Sequence, residues 1–178
     1  MGHSSSHIVV VGPMAVGKST IGTLLAADLG LPFLDSDATL QARTGEDGAV
    51  IAKREGVSAL HDLELESFLE MCREDRRSVI AAAASVVDFP PGQRALAENL
   101  TIWLTAPESV LAARQDGDDH RRELAAVERM TLSMRREPLL HEVAALRVDT
   151  GSRSVAEIVE ELVERVTEIQ GAQGVTDP

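Results

Sequence analysis

Apolar positions along this chain fall into short β-branched runs separated by longer stretches with helical spacing. His7 to Val11 (HIVVV) is a continuous apolar run, the pattern of a strand buried on both faces. From Ser19 to Leu29, the residues Ile21, Leu24, Leu25 and Leu29 share one helical face, and Gly30 supplies a C-terminal stop. Leu31 to Leu34 (LPFL) predicts a short second strand ending at Asp35-Ser36-Asp37. Helices follow over 38–43, 48–55 and 57–74, the last with Leu60, Leu63, Phe68 and Met71 on one face. Residues 78–82, 100–104 (LTIWL) and 146–148 supply strands three to five. Between the last two lie a helix over 108–114, the polar stretch QDGDDHRR, and helical segments to about Ala145. An amphipathic helix over 154–169 closes the pattern. Strands alternating with helices predict an α/β fold with a five-stranded parallel sheet covered on both faces.

One segment resists the pattern. In SVIAAAASVVDFPP, Val79 and Ile80 read as strand, but Ala81 to Ala84 carry almost no side chain, with Ser85 behind them. Three readings fit: a short helix, a tightly packed strand end, or backbone lying close to a ligand.

Composition narrows the field. A chain of 178 residues fits one domain with a substantial core, expected over 7–170, and 44% hydrophobic content argues against disorder. Residues 1–6 are expected to be a flexible tail and 171–178 a loose one. No apolar run reaches the roughly 18 residues that span a bilayer, and MGHSSSH has no secretory core, so a cytoplasmic protein without a membrane partner is expected. The single cysteine, Cys72, reads as a small buried hydrophobe on a helix. A formal net charge of −12 argues against nucleic acid held by general electrostatics. Against that acidity, Arg114, Arg121, Arg122, Arg129, Arg135 and Arg136 crowd into one stretch. A salt-bridged helical surface or a local anion site would each explain them.

The chemistry begins at Gly12-Pro13-Met14-Ala15-Val16-Gly17-Lys18-Ser19, which fits G-x-x-x-x-G-K-[ST] between a β-branched strand and a helix. Such a turn aims backbone N–H groups at phosphates, at a helix N-terminus already favourable to anions. Lys18 would reach the β- and γ-phosphates, and the Ser19 hydroxyl would face Mg²⁺. The expected ligands are therefore ATP and Mg²⁺. Asp35 and Asp37 follow the second strand, on the rim where open parallel sheets bind ligands. Asp35 could hold the metal through water, and Asp37 could orient or deprotonate an acceptor hydroxyl. Simple capping of the next helix is the alternative.

GPMAVGKSTIGTLLAADLGLPFLDSD resembles the opening of the shikimate kinases, small P-loop enzymes that phosphorylate shikimate with ATP. TGEDGAVIAKREGVSALHDLELESF resembles their shikimate-binding flap, RREL their lid motif, and RREPLLHEVAALRVDT their R-x-P-L-Y region and last strand. The likeness runs over about residues 7 to 168. It implies a three-layer P-loop kinase fold with a flap at about 36–62 and a lid at about 115–125, probed by a small-molecule hydroxyl acceptor and working as a monomer. It places Gly12, Ala15, Val16, Gly17, Lys18, Ser19 and Thr20 on the nucleotide, with Arg114 and Arg153 near the adenine. Ser19 and Asp35 fall on the metal, and Arg121 on the lid arginine that closes over the transferring phosphoryl. Lys18, Asp37 and Arg121 carry the transfer in this reading. Asp37, His61, Ala83, Ala84, Ser85 and Arg136 fall on the acceptor, with Arg136 as the carboxylate-binding arginine.

The acceptor side departs from the family pattern. Leu60-His61 stands where the family has Phe-Arg, Leu140 replaces a tyrosine, and Ala83-Ala84-Ser85 replaces three glycines. Alanine methyls fill space a ligand could use, and left-handed backbone there would strain an alanine by about 1 kcal/mol or more. The run is therefore expected to wall the acceptor site rather than form a helix. Two functions remain: a small-molecule kinase of this type, with shikimate or another hydroxylated acceptor, and an ATP-binding regulatory protein with little transfer.

Overall fold

The computed structural model describes residues 6–114 and 119–174, with side chains described except at 119–129 and 173–174. The elements in chain order are β1 (Ile8–Val11), α1 (Lys18–Leu29), β2 (Phe33–Asp35), α2 (Ser36–Thr44), α3 (Gly48–Glu55) and α4 (Val57–Met71). Then come β3 (Val79–Ala82), a 3₁₀ segment (Ala84–Asp88), α5 (Pro90–Glu98), β4 (Leu100–Thr105), α6 (Glu108–Ala113), α7 (Asp119–Val143), β5 (Leu146–Asp149) and α8 (Val155–Gly174). The five strands form one parallel sheet in the order β2-β3-β1-β4-β5. β1 thus sits at the centre, paired with β3 on one side and β4 on the other.

Alternation along β1 explains the layering, because successive side chains point to opposite faces. Ile8 and Val10 join a core with Ile21 and Leu25 of α1 and Ile158 and Leu162 of α8. Val9 and Val11 join a second core with Phe68 of α4, Leu96 of α5 and Leu140 of α7. All four β1 residues are fully buried, as the HIVVV pattern requires. Parallel strands all present their carboxyl ends at one rim. There β1 runs into the P-loop, β2 into Asp35, and β3 into the alanine run.

Four elements differ from expectation. Ala81 and Ala82 finish β3 and Ala83 stays extended, but Ala84 to Asp88 coil into a 3₁₀ turn, so the run is strand end and short helix in succession. The following α5 had no apolar signature. Its prolines occupy the first helical positions, where no backbone donor is needed. α2 begins at Ser36, which puts Asp37 in its first turn. α8 continues to Gly174, so residues 171–174 are helical rather than a loose tail. Cys72 caps the C-terminus of α4, packs against the second core, and has its thiol pKa pushed up to about 12 by burial. Among the described residues no helix is long and apolar enough to cross a membrane.

Candidate active site

The P-loop joins the end of β1 to α1, and its backbone is tightly specified. A Cβ on Gly12 would stand 2.5 Å from the Leu104 carbonyl oxygen, so only glycine lets the loop lie against β4. Gly17 (φ 103) and Ala15 (φ 65) are both left-handed, the alternation that turns successive N–H groups inward. Ala15 is the one non-glycine residue with positive φ among those described. Lys18 folds back over the loop and donates from Nζ to the carbonyls of Gly12 (3.1 Å) and Pro13 (3.2 Å). Burial lowers its pKa, opposed by the charges of Asp37, Asp35 and Glu64. The outer side of the loop is braced by Thr150, whose hydroxyl donates to the Val16 carbonyl at 3.1 Å. Arg114 adds long contacts from Nη1 to the carbonyls of Ala15 and Val16, both 3.4 Å, and bonds the Thr150 carbonyl at 3.0 Å.

Asp35 does two things at once. Its Oδ1 accepts from the Asp37 N–H at 2.9 Å, which caps α2, and its Oδ2 accepts from the Ser19 hydroxyl at 2.6 Å. The capping and metal readings of this residue are therefore compatible. Asp37 lies beside it with its pKa raised, first by burial and then by the Asp35 charge, against the pull of Lys18. Two crowded carboxylates and a hydroxyl are hard oxygen donors suited to Mg²⁺, which commonly takes only one or two protein oxygens beside phosphate and water. Ser19 and Asp35 therefore fit the ion.

These groups open onto one cavity of about 870 Å³. It gathers every described residue that the sequence reading assigned to nucleotide, metal or acceptor: Gly12, Ala15 to Thr20, Asp35, Asp37, His61, Ala83 to Ser85, Arg114, Arg136 and Arg153 all line it. At the nucleotide end, Arg153 pairs with Glu161 and donates to the Glu157 carbonyl at 3.2 Å. The side chain of Arg121 lies outside the described residues, as do positions 115–118 of the expected lid.

Two residues the sequence did not flag bond to the residues of the acceptor end, and of these Glu64 lines the cavity. Glu64 of α4 accepts a hydrogen bond from the Ser85 hydroxyl, and burial is the main cause of its raised pKa. Asp88, at the end of the 3₁₀ segment, grips Arg136. The Arg136 Nε lies 3.2 and 3.1 Å from the two Asp88 oxygens, and Nη2 donates to Oδ2 at 2.7 Å. The two side chains are only 11% and 6% exposed. Arg135 is exposed and stands 3.6 Å from the same carboxylate. Ala83 has φ −61, so the alanines bring no left-handed strain, and their effect is the volume of their methyl groups.

The comparisons with known proteins agree with this geometry. The family model described as shikimate kinase matches residues 14–167. A shikimate kinase of Thioalkalivibrio sulfidiphilus is 36% identical over 164 residues, spanning 89% of this chain and 85% of its own. One of Pseudomonas fluorescens is 33% identical over 169 residues, spanning 92% and 97%. The fold matches a shikimate kinase from Acinetobacter baumannii, solved in complex with shikimate, at a TM-score of 0.83 with 24% identity, over 93% of this chain and 94% of that one. Its P-loop, its sheet order and its similarity along nearly the whole length place this chain in the shikimate kinase family.

Proposed function

We propose that this chain transfers the γ-phosphoryl group of ATP to a hydroxyl of shikimate or a closely related small molecule. The observation that carries the reading is one cavity, at the carboxyl ends of the strands, lined by the P-loop with Lys18 and by the carboxylate of Asp37, whose charges act on each other. The triphosphate would lie against the N–H groups of residues 12–18. Lys18, held over the loop carbonyls in this structure, would turn to the β- and γ-phosphates. Ser19 and Asp35 would hold Mg²⁺, which neutralises phosphate charge when bound.

Asp37 would accept the proton of the acceptor hydroxyl as its oxygen bonds to the γ-phosphorus. The bond from that phosphorus to the β–γ bridging oxygen breaks, and ADP leaves with the electron pair. Asp37 then returns its proton to solvent. A raised carboxyl pKa suits a base that must hold this proton briefly. Arg121 would close on the transferring group and offset its charge, and Arg114 and Arg153 would flank the adenine. His61, Ala83, Ala84, Ser85 and Arg136 would contact the acceptor. The reading carries with it a cytoplasmic enzyme acting as a monomer, without nucleic acid or membrane partners.

The test is ADP release by the full chain with Mg·ATP and shikimate, followed by a panel of cyclic and linear polyols. Acceptor-dependent release with a phosphorylated product supports the proposal. Tight ATP binding with no acceptor-dependent release across the panel would overturn it in favour of a nucleotide-binding regulator.

A further inference from the structure

Resting on the kinase reading, the geometry points to Asp88 as a specificity-determining residue that occupies Arg136 and turns the acceptor end from carboxylates toward uncharged hydroxylated acceptors. Arg136 lines that end of the cavity, and its side-on edge is already filled. Asp88 takes Nε and Nη2 in a bidentate pair, the arrangement that a substrate carboxylate would itself seek. Both side chains are nearly removed from solvent, so salt and water screen their attraction weakly.

Asp88 is also a tethered ligand. It ends the 3₁₀ segment, one residue before Phe89, whose N–H returns to the Val86 carbonyl, and two before α5. A carboxylate in the same chain acts at a high effective concentration, which a free anion must outcompete. The surroundings add to the barrier. Glu64, with the Ser85 hydroxyl as its partner, and Asp37 both line the cavity. α4 adds His61 to the same lining. An incoming carboxylate would therefore meet a guanidinium already paired with Asp88, in a cavity that Glu64 also lines.

The same groups suit hydroxyls. Glu64 and Asp37 accept from them, and Ser85 can both donate and accept. The Nη1 hydrogens of Arg136, which Asp88 leaves untouched, suit a neutral hydroxyl or carbonyl oxygen. The ligand class is an uncharged polyhydroxylated ring or chain.

The experiment compares shikimate with its methyl ester, which keeps every hydroxyl and loses the charge. ADP release by the full chain gives kcat/KM for both at saturating Mg·ATP, in the wild type and in Asp88→Asn. The ester is expected to be the better substrate of the wild type. Asp88→Asn should raise kcat/KM for shikimate by roughly tenfold, through KM, and change the ester by less than about threefold. A wild-type preference for shikimate overturns the inference. So does an Asp88→Asn variant that loses activity equally on both compounds, the behaviour of a residue that only positions Arg136. If that variant fails to fold, the wild-type ratio and Glu64→Gln, expected to shift the ratio the same way, decide. If no compound is turned over, the kinase reading falls by itself. Quenching of Trp103, the one tryptophan of the chain and a cavity-lining residue, still ranks the two compounds by binding. Tighter binding of shikimate would then overturn the inference, and tighter binding of the ester supports it.

Discussion

Replacing Gly92 by alanine tests how rigidly the wall of the acceptor site is held. Gly92 is in the first turn of α5, where a Cβ would stand 1.9 Å from the Val86 carbonyl oxygen, 2.8 Å from its carbon and 3.2 Å from a methyl of Leu65. Two of those three atoms are backbone and cannot turn aside as a side chain can. The helix and the 3₁₀ segment would have to part by more than an ångström to reach ordinary contact. Overpacking of this kind costs about 1–3 kcal/mol, and a backbone clash belongs at the upper end. Alanine is the better helix former by about 1 kcal/mol at most, which does not offset the clash. A chain of this size loses about 2–4 °C of Tm per kcal/mol, so the melting point should fall by roughly 5 °C. The damage should be local, because the 3₁₀ segment carries Ser85 and Asp88. KM for the acceptor should rise several-fold more than KM for ATP. Gly30→Ala is the control, since Gly30 is left-handed (φ 65) with nothing within 4 Å of its Cβ position. That change should cost about 1 kcal/mol and leave both KM values alone. Gly92→Ala with wild-type melting and an unchanged acceptor KM would refute the idea that α5 clamps this wall.

Lys18→Ala should abolish phosphoryl transfer while the chain still melts cooperatively, and robust turnover by this variant would exclude the P-loop mechanism. The pH profile of kcat/KM should fall on both sides. Asp37 has a raised pKa, so its base form is lost on acidification from above the ordinary carboxylate range; Lys18 has a lowered pKa, so its charge is lost from below the ordinary lysine range. Asp37→Asn should remove the acid limb along with most of kcat, and an acid limb unchanged in that variant would assign it elsewhere. Ala15→Gly should relieve left-handed backbone and raise stability by about 1 kcal/mol, measured by urea unfolding, and a loss of stability would contradict the strain.

The nucleotide half was legible because its information is local. GPMAVGKS states its own turn, and the β-branched run before it and the helix after it confirm the context. The acceptor half is assembled from residues distant in sequence. Asp88 and Arg136 are 48 residues apart, and nothing in VVDFPP marks an aspartate that will meet a guanidinium. Glu64 lies among several acidic residues of α4, and only the packing of that helix turns this one inward. α5 was hidden because PPGQ reads as loop and only Gly92, Ala95 and Leu96 are buried. The alanine run lines the cavity, but Ala84 enters the 3₁₀ turn that the sequence reading excluded, and the physics of the run differs as well. The backbone at Ala83 is ordinary, so the absent glycines change volume without adding strain.

The register of the central strands has a further consequence. Val11 pairs with Ala82, so the P-loop and the acceptor wall leave the sheet at the same level on neighbouring strands. Adjacent strands lie about 4.8 Å apart, a spacing set by backbone hydrogen bonds. The spacing between the P-loop and the alanine run is thus a property of the main chain. Side chains at 61, 64, 85 and 88 are free to drift without disturbing it. In the kinase reading, substitutions at these positions would change what the cavity accepts without moving the loop that faces the phosphates.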